Sequence, residues 1–319
     1  MTITSGLDPY TDASVVLDGK DLSGQTVIVT GGATGIGIET VKALAGAGAD
    51  VTIAVRKREL GEAAAKEVNA AVGAERASVG MVDLADLASV AAFTRAWGDK
   101  PLNILLNNAG VMACPLTYTA DDLEMQLGTN HFGHFALGVG LARALMNGAQ
   151  DGRAARLVSL SSIGHLRSAM NFEDPNYRHR DYEKWAAYGQ SKTANALFAV
   201  GFDKRFGDLG VHANSVMPGG IITPLQRHLP YEEQVAMGWF DADGKPVVGF
   251  KTPAQGASTS VWAAVGEELE GVGGLYLENL AQAETYVPGS RFGVAPHALD
   301  AQAAERLWAL SEETTGVSL

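Results

Sequence analysis

The chain has 319 residues, 46% of them apolar and 19% charged, a composition that supports a large packed core and excludes a disordered polymer. A formal net charge of −12 excludes the broad basic footprint that nucleic acid or an anionic membrane surface would require. The single cysteine, Cys114, cannot form an intramolecular disulfide and fits a reducing cytoplasm, which is the expected compartment.

Residues 1–23 are acidic and polar, lack the basic start and apolar run of a secretory signal, and read as an N-terminal extension without an assigned role. TVIVT (26–30) is the first predicted strand, and it runs through TGGATGIG (30–37) into a helix over 35–48. In that turn Gly31 permits the tight bend, Gly35 lets the backbone approach a pyrophosphate, and Gly37 lets helix and strand pack closely. Ala33, Thr34 and Ile36 complete the cradle, and the phosphates of a dinucleotide would sit at the positive helix end. The spacing G-x-x-x-G-x-G differs from the commoner G-x-G-x-x-G and lacks the Lys-Ser/Thr of an NTPase loop, so a merely structural turn is the alternative.

DVTIAV (50–55) is the second strand, and it ends in Arg56 and Lys57 with no acid before Glu59. An acid there would bind the ribose hydroxyls of NAD, whereas cations suit the 2′-phosphate of NADP; the chain therefore points to NADP(H), against a solvated basic helix start. A helix over 59–71, a strand ASVGMV (77–82) ending before Asp83 and Leu84, and a helix over 86–97 follow. The fourth strand, NILLN (103–107), leads into NNAG (107–110), and a helix over 121–147 carries Asn130, His131 and His134. The two histidines are i and i+3, but no third ligand stands near them and no metal is predicted.

RLVSLS (156–161) precedes Ser162, and a helix over 186–207 presents Tyr188 and Lys192 one turn apart on one face. VHANSVM (211–217) and GLYLE (274–278) are the last strands. Two polar and aromatic stretches, 163–184 and 224–252, are too long for ordinary connections and are candidate substrate-binding insertions. His165 reads as a surface or loop histidine near the substrate, and Cys114 as a small apolar wall residue. Apolar strands alternating with helices predict an α/β fold: a single doubly wound domain over 24–319, with a mainly parallel sheet of about seven strands covered by helices on both faces. No run reaches the roughly 18 apolar residues of a membrane span.

With TGGATGIG, NNAG, SS at 161–162 and YGQSK at 188–192 in that order, the chain resembles the short-chain dehydrogenase/reductase family, from about residue 24 to the region of GLYLE. NNAGVMACP, LGTNHFGHFAL and the long gap before the tyrosine resemble its retinol dehydrogenase and WW-domain oxidoreductase branch. The resemblance implies a Rossmann fold and an NADP(H)-dependent oxidoreductase interconverting a carbonyl and an alcohol. It implies that Tyr188 is the general acid/base, that Lys192 lowers its pKa and reaches the nicotinamide ribose, and that Ser162 holds the substrate oxygen, with Ser161 its only rival. Asn130 would hold a water on the lysine. Asp83 with Leu84 would lie near adenine, Asn108, Ala109 and Gly110 along the cofactor ribose, and Pro218, Gly219, Ile221 and Thr223 against the carboxamide.

The gap between Ser162 and Tyr188 is longer than in short family members, which removes any substrate inference from them. Met, Trp, Phe and Leu in the insertions suggest a bulky apolar ketone or aldehyde. The expected partner is that small molecule alone; no nucleic acid is expected, and homo-oligomerisation is left open. The rival readings are a C=C double-bond reductase on the same fold and a non-catalytic NADP(H)-sensing protein.

Overall fold

The computed structural model describes every residue except Met1, 150–152, Ala242, Val248 and Leu319, so those points of the N-terminal extension and of the 224–252 insertion lie outside the described residues. In chain order the elements are β1 (Thr26–Thr30), α1 (Gly35–Gly46), β2 (Asp50–Val55), α2 (Arg58–Val72), β3 (Ala77–Met81), α3 (Leu87–Trp97) and β4 (Ile104–Asn107). Then come α4 (Met125–Leu127), α5 (Gly133–Gly140), α6 (Ala142–Gly148), β5 (Ala155–Leu160), α7 (Lys184–Phe206), β6 (Val211–Met217) and β7 (Gly220–Ile221). The chain finishes with α8 (Tyr231–Ala236), β8 (Phe250–Lys251), α9 (Pro253–Val265), β9 (Tyr276–Glu278), β10 (Ala281–Gln282) and α10 (Ala301–Thr315).

The central sheet runs β10-β9-β6-β5-β4-β1-β2-β3 and is parallel except for β10 on β9. It has eight strands where the sequence predicts seven, because β10 is a two-residue return strand without an apolar run of its own. Successive residues of the central strands face opposite cores. Val27, Val29, Leu106 and Val158 pack with Val41, Leu44, Val68, Val261 and Trp262 of α1, α2 and α9. Ile28, Leu105 and Leu157 pack with Phe93, Phe135, Phe198, Phe202 and Trp308 of α3, α5, α7 and α10. A strand buried on both faces has to be apolar throughout, which is why these runs are legible. Each large side chain so buried stabilises the fold by about 1.5–3 kcal/mol.

The expected helix over 121–147 is broken. Residues 121–124 precede α4, a π-helical turn Gly128–Phe132 joins α4 to α5, and α6 is separate. Where the π-helical turn meets α5 the chain passes close to its neighbour, since a Cβ on Gly133 would strike the Leu84 backbone. The N-terminal extension is part of the packing, with Ala13, Val16, Leu17 and Leu22 buried in the α1/α9 core and Gln282 N–H donating to Ile3 O at 2.8 Å. Among the described residues no helix is long and apolar enough to cross a membrane.

Candidate active site

The strand order reverses between β1 and β4, and their carboxyl ends open a crevice, the usual ligand site of such a sheet. Thr30, the last residue of β1, ties the two sides together. Its Oγ1 accepts from Asn108 N–H at 2.9 Å and Ala109 N–H at 3.0 Å, and its carbonyl accepts from Asn108 Nδ2 at 2.7 Å. Gly31 and Gly35 take φ of 64° and 56°, in the region glycine adopts without strain. A Cβ on Gly37 would collide with Gly31 O and come within 2.8 Å of Asn108 Nδ2. No side chain caps the first turn of α1, and with the Gly37 and Ile38 N–H groups donating to Thr34 O, those of Gly35 and Ile36 are left for an anion. A dinucleotide fits this cradle.

The opposite wall is built by α7. Glu183 caps it by accepting from Trp185 N–H and Ala186 N–H at 2.9 and 2.6 Å, and the helix then runs buried past Tyr188 and Lys192, both 4% exposed. Lys192 Nζ donates to Leu160 O at 2.9 Å and lies 5.7 Å from the centre of the Tyr188 ring. Ser161 and Ser162 separate cleanly: Ser161 Oγ donates to Lys192 O at 2.8 Å, whereas Ser162 Oγ accepts from Gly164 N–H at 3.1 Å and faces the tyrosine. Asn130 sits in the π-helical turn, a local widening often found at functional sites. Its Oδ1 accepts from Val111 N–H at 2.8 Å, and its Nδ2 donates to Val111 O and Ser191 Oγ, each at 2.9 Å.

These walls enclose a cavity of about 490 Å³. Gly31, Ala33, Thr34, Gly35, Ile36, Gly37, Arg56, Lys57, Asp83, Leu84, Asn108, Ala109 and Gly110 line it, with Ser162, Tyr188, Lys192, Pro218, Gly219, Ile221 and Thr223. Asn130 does not; it is fully buried behind Gly110, where a Cβ would come within 3.1 Å of its Oδ1, and Cys114, expected on the wall, and His165 are likewise buried away from the lining. The two insertions differ from each other, and only the first departs from expectation. Nothing in 163–184 lines the cavity; its first turn packs behind Tyr188, and its later part packs on α4, where Asn176 Oδ1 accepts from Glu124 N–H at 2.8 Å. The 224–252 insertion supplies Leu225, Gln226, Arg227 and Trp239, and Phe250 of β8 joins them. It starts beyond β7 and returns through β8, which pairs with β7, and it is fastened to α7 by Glu233. That carboxylate meets Lys184 Nζ at 2.6 Å and accepts from Trp185 Nε1 at 3.2 Å. Leu225, Leu229, Trp185 and Trp239 gather with Met112 and Tyr188 into one apolar end.

Burial dominates the electrostatics of the site. Burial pushes the Tyr188 phenol up to about 12, with the Ser162 hydroxyl acting in the opposite direction, and burial pulls Lys192 down to about 7. Burial likewise holds His131 near 3, His134 near 4 and His165 near 4, so all three are neutral at pH 7. His131 Nε2 meets Ser311 Oγ at 2.8 Å and His134 Nδ1 meets Asn130 O at 2.9 Å, separate partnerships rather than a shared ligand pair. No group of three metal-binding side chains exists among the described residues. Burial raises the Cys114 thiol to about 11, which keeps it inert.

Residues 25–234 match the family model described as short chain dehydrogenase. A probable oxidoreductase of Streptomyces lividans is 49% identical over 299 residues, covering 92% of this chain and 98% of that protein. Retinol dehydrogenase 13 of Mus musculus is 35% identical over 300 residues, covering 93% and 86%. Among solved structures, an uncharacterised protein from Mycobacterium paratuberculosis superposes with a TM-score of 0.72 at 32% identity, over 95% of this chain and 97% of that one.

Proposed function

The chain belongs to the short-chain dehydrogenase family as an NAD(P)-dependent oxidoreductase, and from that premise we propose that it interconverts a carbonyl and an alcohol using NADP(H). The observation that carries the reading is the convergence of Ser162, Tyr188 and Lys192 on one cavity that is glycine-lined at one end and apolar at the other. Bound NADPH supplies the hydride for the carbonyl carbon. Ser162 Oγ–H donates to the carbonyl oxygen and polarises it, and Tyr188 delivers the proton that oxygen needs as it becomes a hydroxyl. Lys192, held through one N–H by Leu160 O, keeps two donors for ribose hydroxyls, and its charge stabilises the phenolate that remains. Asn130 braces Val111 and Ser191 beside the lysine with its side chain, and the water it would hold on Lys192 would link that lysine to solvent. Oxidation runs the same steps backwards.

Support for NADP(H) comes from Arg56 and Lys57 on the cavity wall, joined by Arg227, which feels the charge of Arg56. Met112, Leu225, Trp239 and Phe250 favour a bulky apolar ketone or aldehyde, and the mouse relative is named for retinol, a bulky apolar alcohol of the kind that reduction of such a carbonyl yields. The test pairs a panel of apolar carbonyl compounds with Tyr188→Phe. NADPH binding should persist while kcat falls about 10²- to 10⁴-fold. Unchanged turnover would sink the mechanism, and a saturated carbonyl as product instead of an alcohol would replace it with C=C reduction.

A further inference from the structure

His165 is fully buried three residues beyond Ser162, in the 3₁₀ turn Ile163–Arg167, and the proposed chemistry does not use it. Its tautomer is set by a neighbour that can only donate: Ala295 N–H points at His165 Nε2 at 3.0 Å, so the ring proton sits on Nδ1. Nδ1–H then donates to the carbonyl of Ser162 at 2.7 Å. Tyr276 O–H lies 3.1 Å from both that carbonyl and Nδ1; a protonated Nδ1 cannot accept, so the phenol also donates to Ser162 O. His165 N–H adds a third donor at 3.0 Å. One carbonyl with two lone pairs is thus held by three donors, while the hydroxyl of the same residue faces the cavity.

The turn is braced against the second reacting group as well. A Cβ on Gly164 would come within 2.8 Å of Tyr188 Cδ1 and Cε1, so the turn lies flat on the tyrosine ring and a shift of one moves the other. From behind, His165 O accepts from Thr193 Oγ1 at 3.3 Å and meets His297 Nε2 at 3.1 Å. Ala295 and His297 both lie in the C-terminal part of the chain, far from Ser162 in sequence.

We propose that His165 and Tyr276 are a positioning pair that fixes Ser162 by its main-chain carbonyl and makes the serine's placement depend on the segment around Ala295. The inference rests on the reading of Ser162 as the group that polarises the substrate. Misplacing a reacting group by about 1 Å can cost about 100-fold in rate, which sets the scale of the expected effect.

The test compares H165L, H165N, Y276F and S162A by thermal midpoint, NADPH Kd from fluorescence titration, and kcat and KM on a carbonyl compound that the unaltered protein reduces. H165L and Y276F should lower kcat about 10- to 100-fold with KM and NADPH Kd changed less than about 3-fold. Asparagine can set its Nδ2 where the ring has Nδ1, so H165N should recover most of the kcat that H165L loses. A folded H165L with full kcat, or an H165N as impaired as H165L, overturns the proposal. Should H165L fail to fold, Y276F decides, since unchanged kcat there overturns it equally. S162A with full turnover would instead remove the underlying reading of the serine, a distinct result.

Discussion

Replacement of Arg56 by Ala tests the cofactor assignment directly. Arg56, Lys57 and Arg227 line the same cavity, and among the described residues none of them forms an ion pair, whereas Arg58 pairs with Glu62 at 3.7 Å. These cations are therefore free to meet an added phosphate. A hydrogen bond between charged partners nets about 1.5–3 kcal/mol, and the exposure of Arg56 places it at the low end. The loss should be about 1.5–2 kcal/mol, or roughly 10- to 30-fold in Kd. Fluorescence titration of NADPH and NADH in parallel, at two salt concentrations, reads this out. NADPH should weaken by that factor in Arg56→Ala while NADH moves less than about 2-fold, and the gap should narrow at high salt. Equal weakening of both cofactors would place the guanidinium on the shared diphosphate, and no change in either would remove it from the site; both refute the reasoning.

Glu233→Ala removes the fastening of the 224–252 insertion to α7, a half-exposed ion pair and one indole hydrogen bond. An exposed-to-intermediate pair is worth about 0.5–1 kcal/mol, so KM for an apolar ketone should rise about 2- to 5-fold with faster proteolysis inside the insertion and little change in NADPH Kd. Lys192 makes stability depend on pH. Its folded pKa of about 7 lies below its ordinary 10.5, so between these values the unfolded chain binds more protons and stability rises with pH. The cost is fully present below pH 7 and fades on approaching 10.5; above about 10 the raised phenol of Tyr188 begins to act in the opposite sense. Lys192→Met should flatten the rise in thermal midpoint between about pH 7 and 9.5, measured without cofactor.

Local sequence carried the sheet because strands such as β1 and β5 are buried on both faces and so hold adjacent apolar residues, Val27 to Val29 and Leu157 with Val158, instead of alternating. It failed at β10, whose two residues are half-buried and whose pairing depends on a return of the chain. It also failed at α4 to α5, where apolar periodicity continues although Gly133 must meet Leu84 and the helix widens around Asn130. In the candidate site, the glycine turn, the asparagine loop and the tyrosine helix were legible because each is a short contiguous motif. The aromatic content of 224–252 was legible, but that Trp239 and Phe250 reach the cavity and that Arg227 joins them was not, since their approach depends on the fold of the insertion and the pairing of β7 with β8. Insertion length could not tell that 163–184 stays behind the cavity wall instead of lining it. His165 looked like a loop residue because its partners, Tyr276 and Ala295, are more than a hundred positions away.

The residues ahead of β1 bear on how this chain could be recombined with relatives. Ala13, Val16, Leu17 and Leu22 fill the space between α1 and α9, and Ala13 N–H donates to Ala254 O at 3.0 Å. A chimera spliced at residue 25, where the family match begins, would set a foreign leader against this chain's α9 and leave those four seats mismatched. Leader and α9 are therefore one inherited unit, and crossovers that swap them together should fold where crossovers that divide them do not.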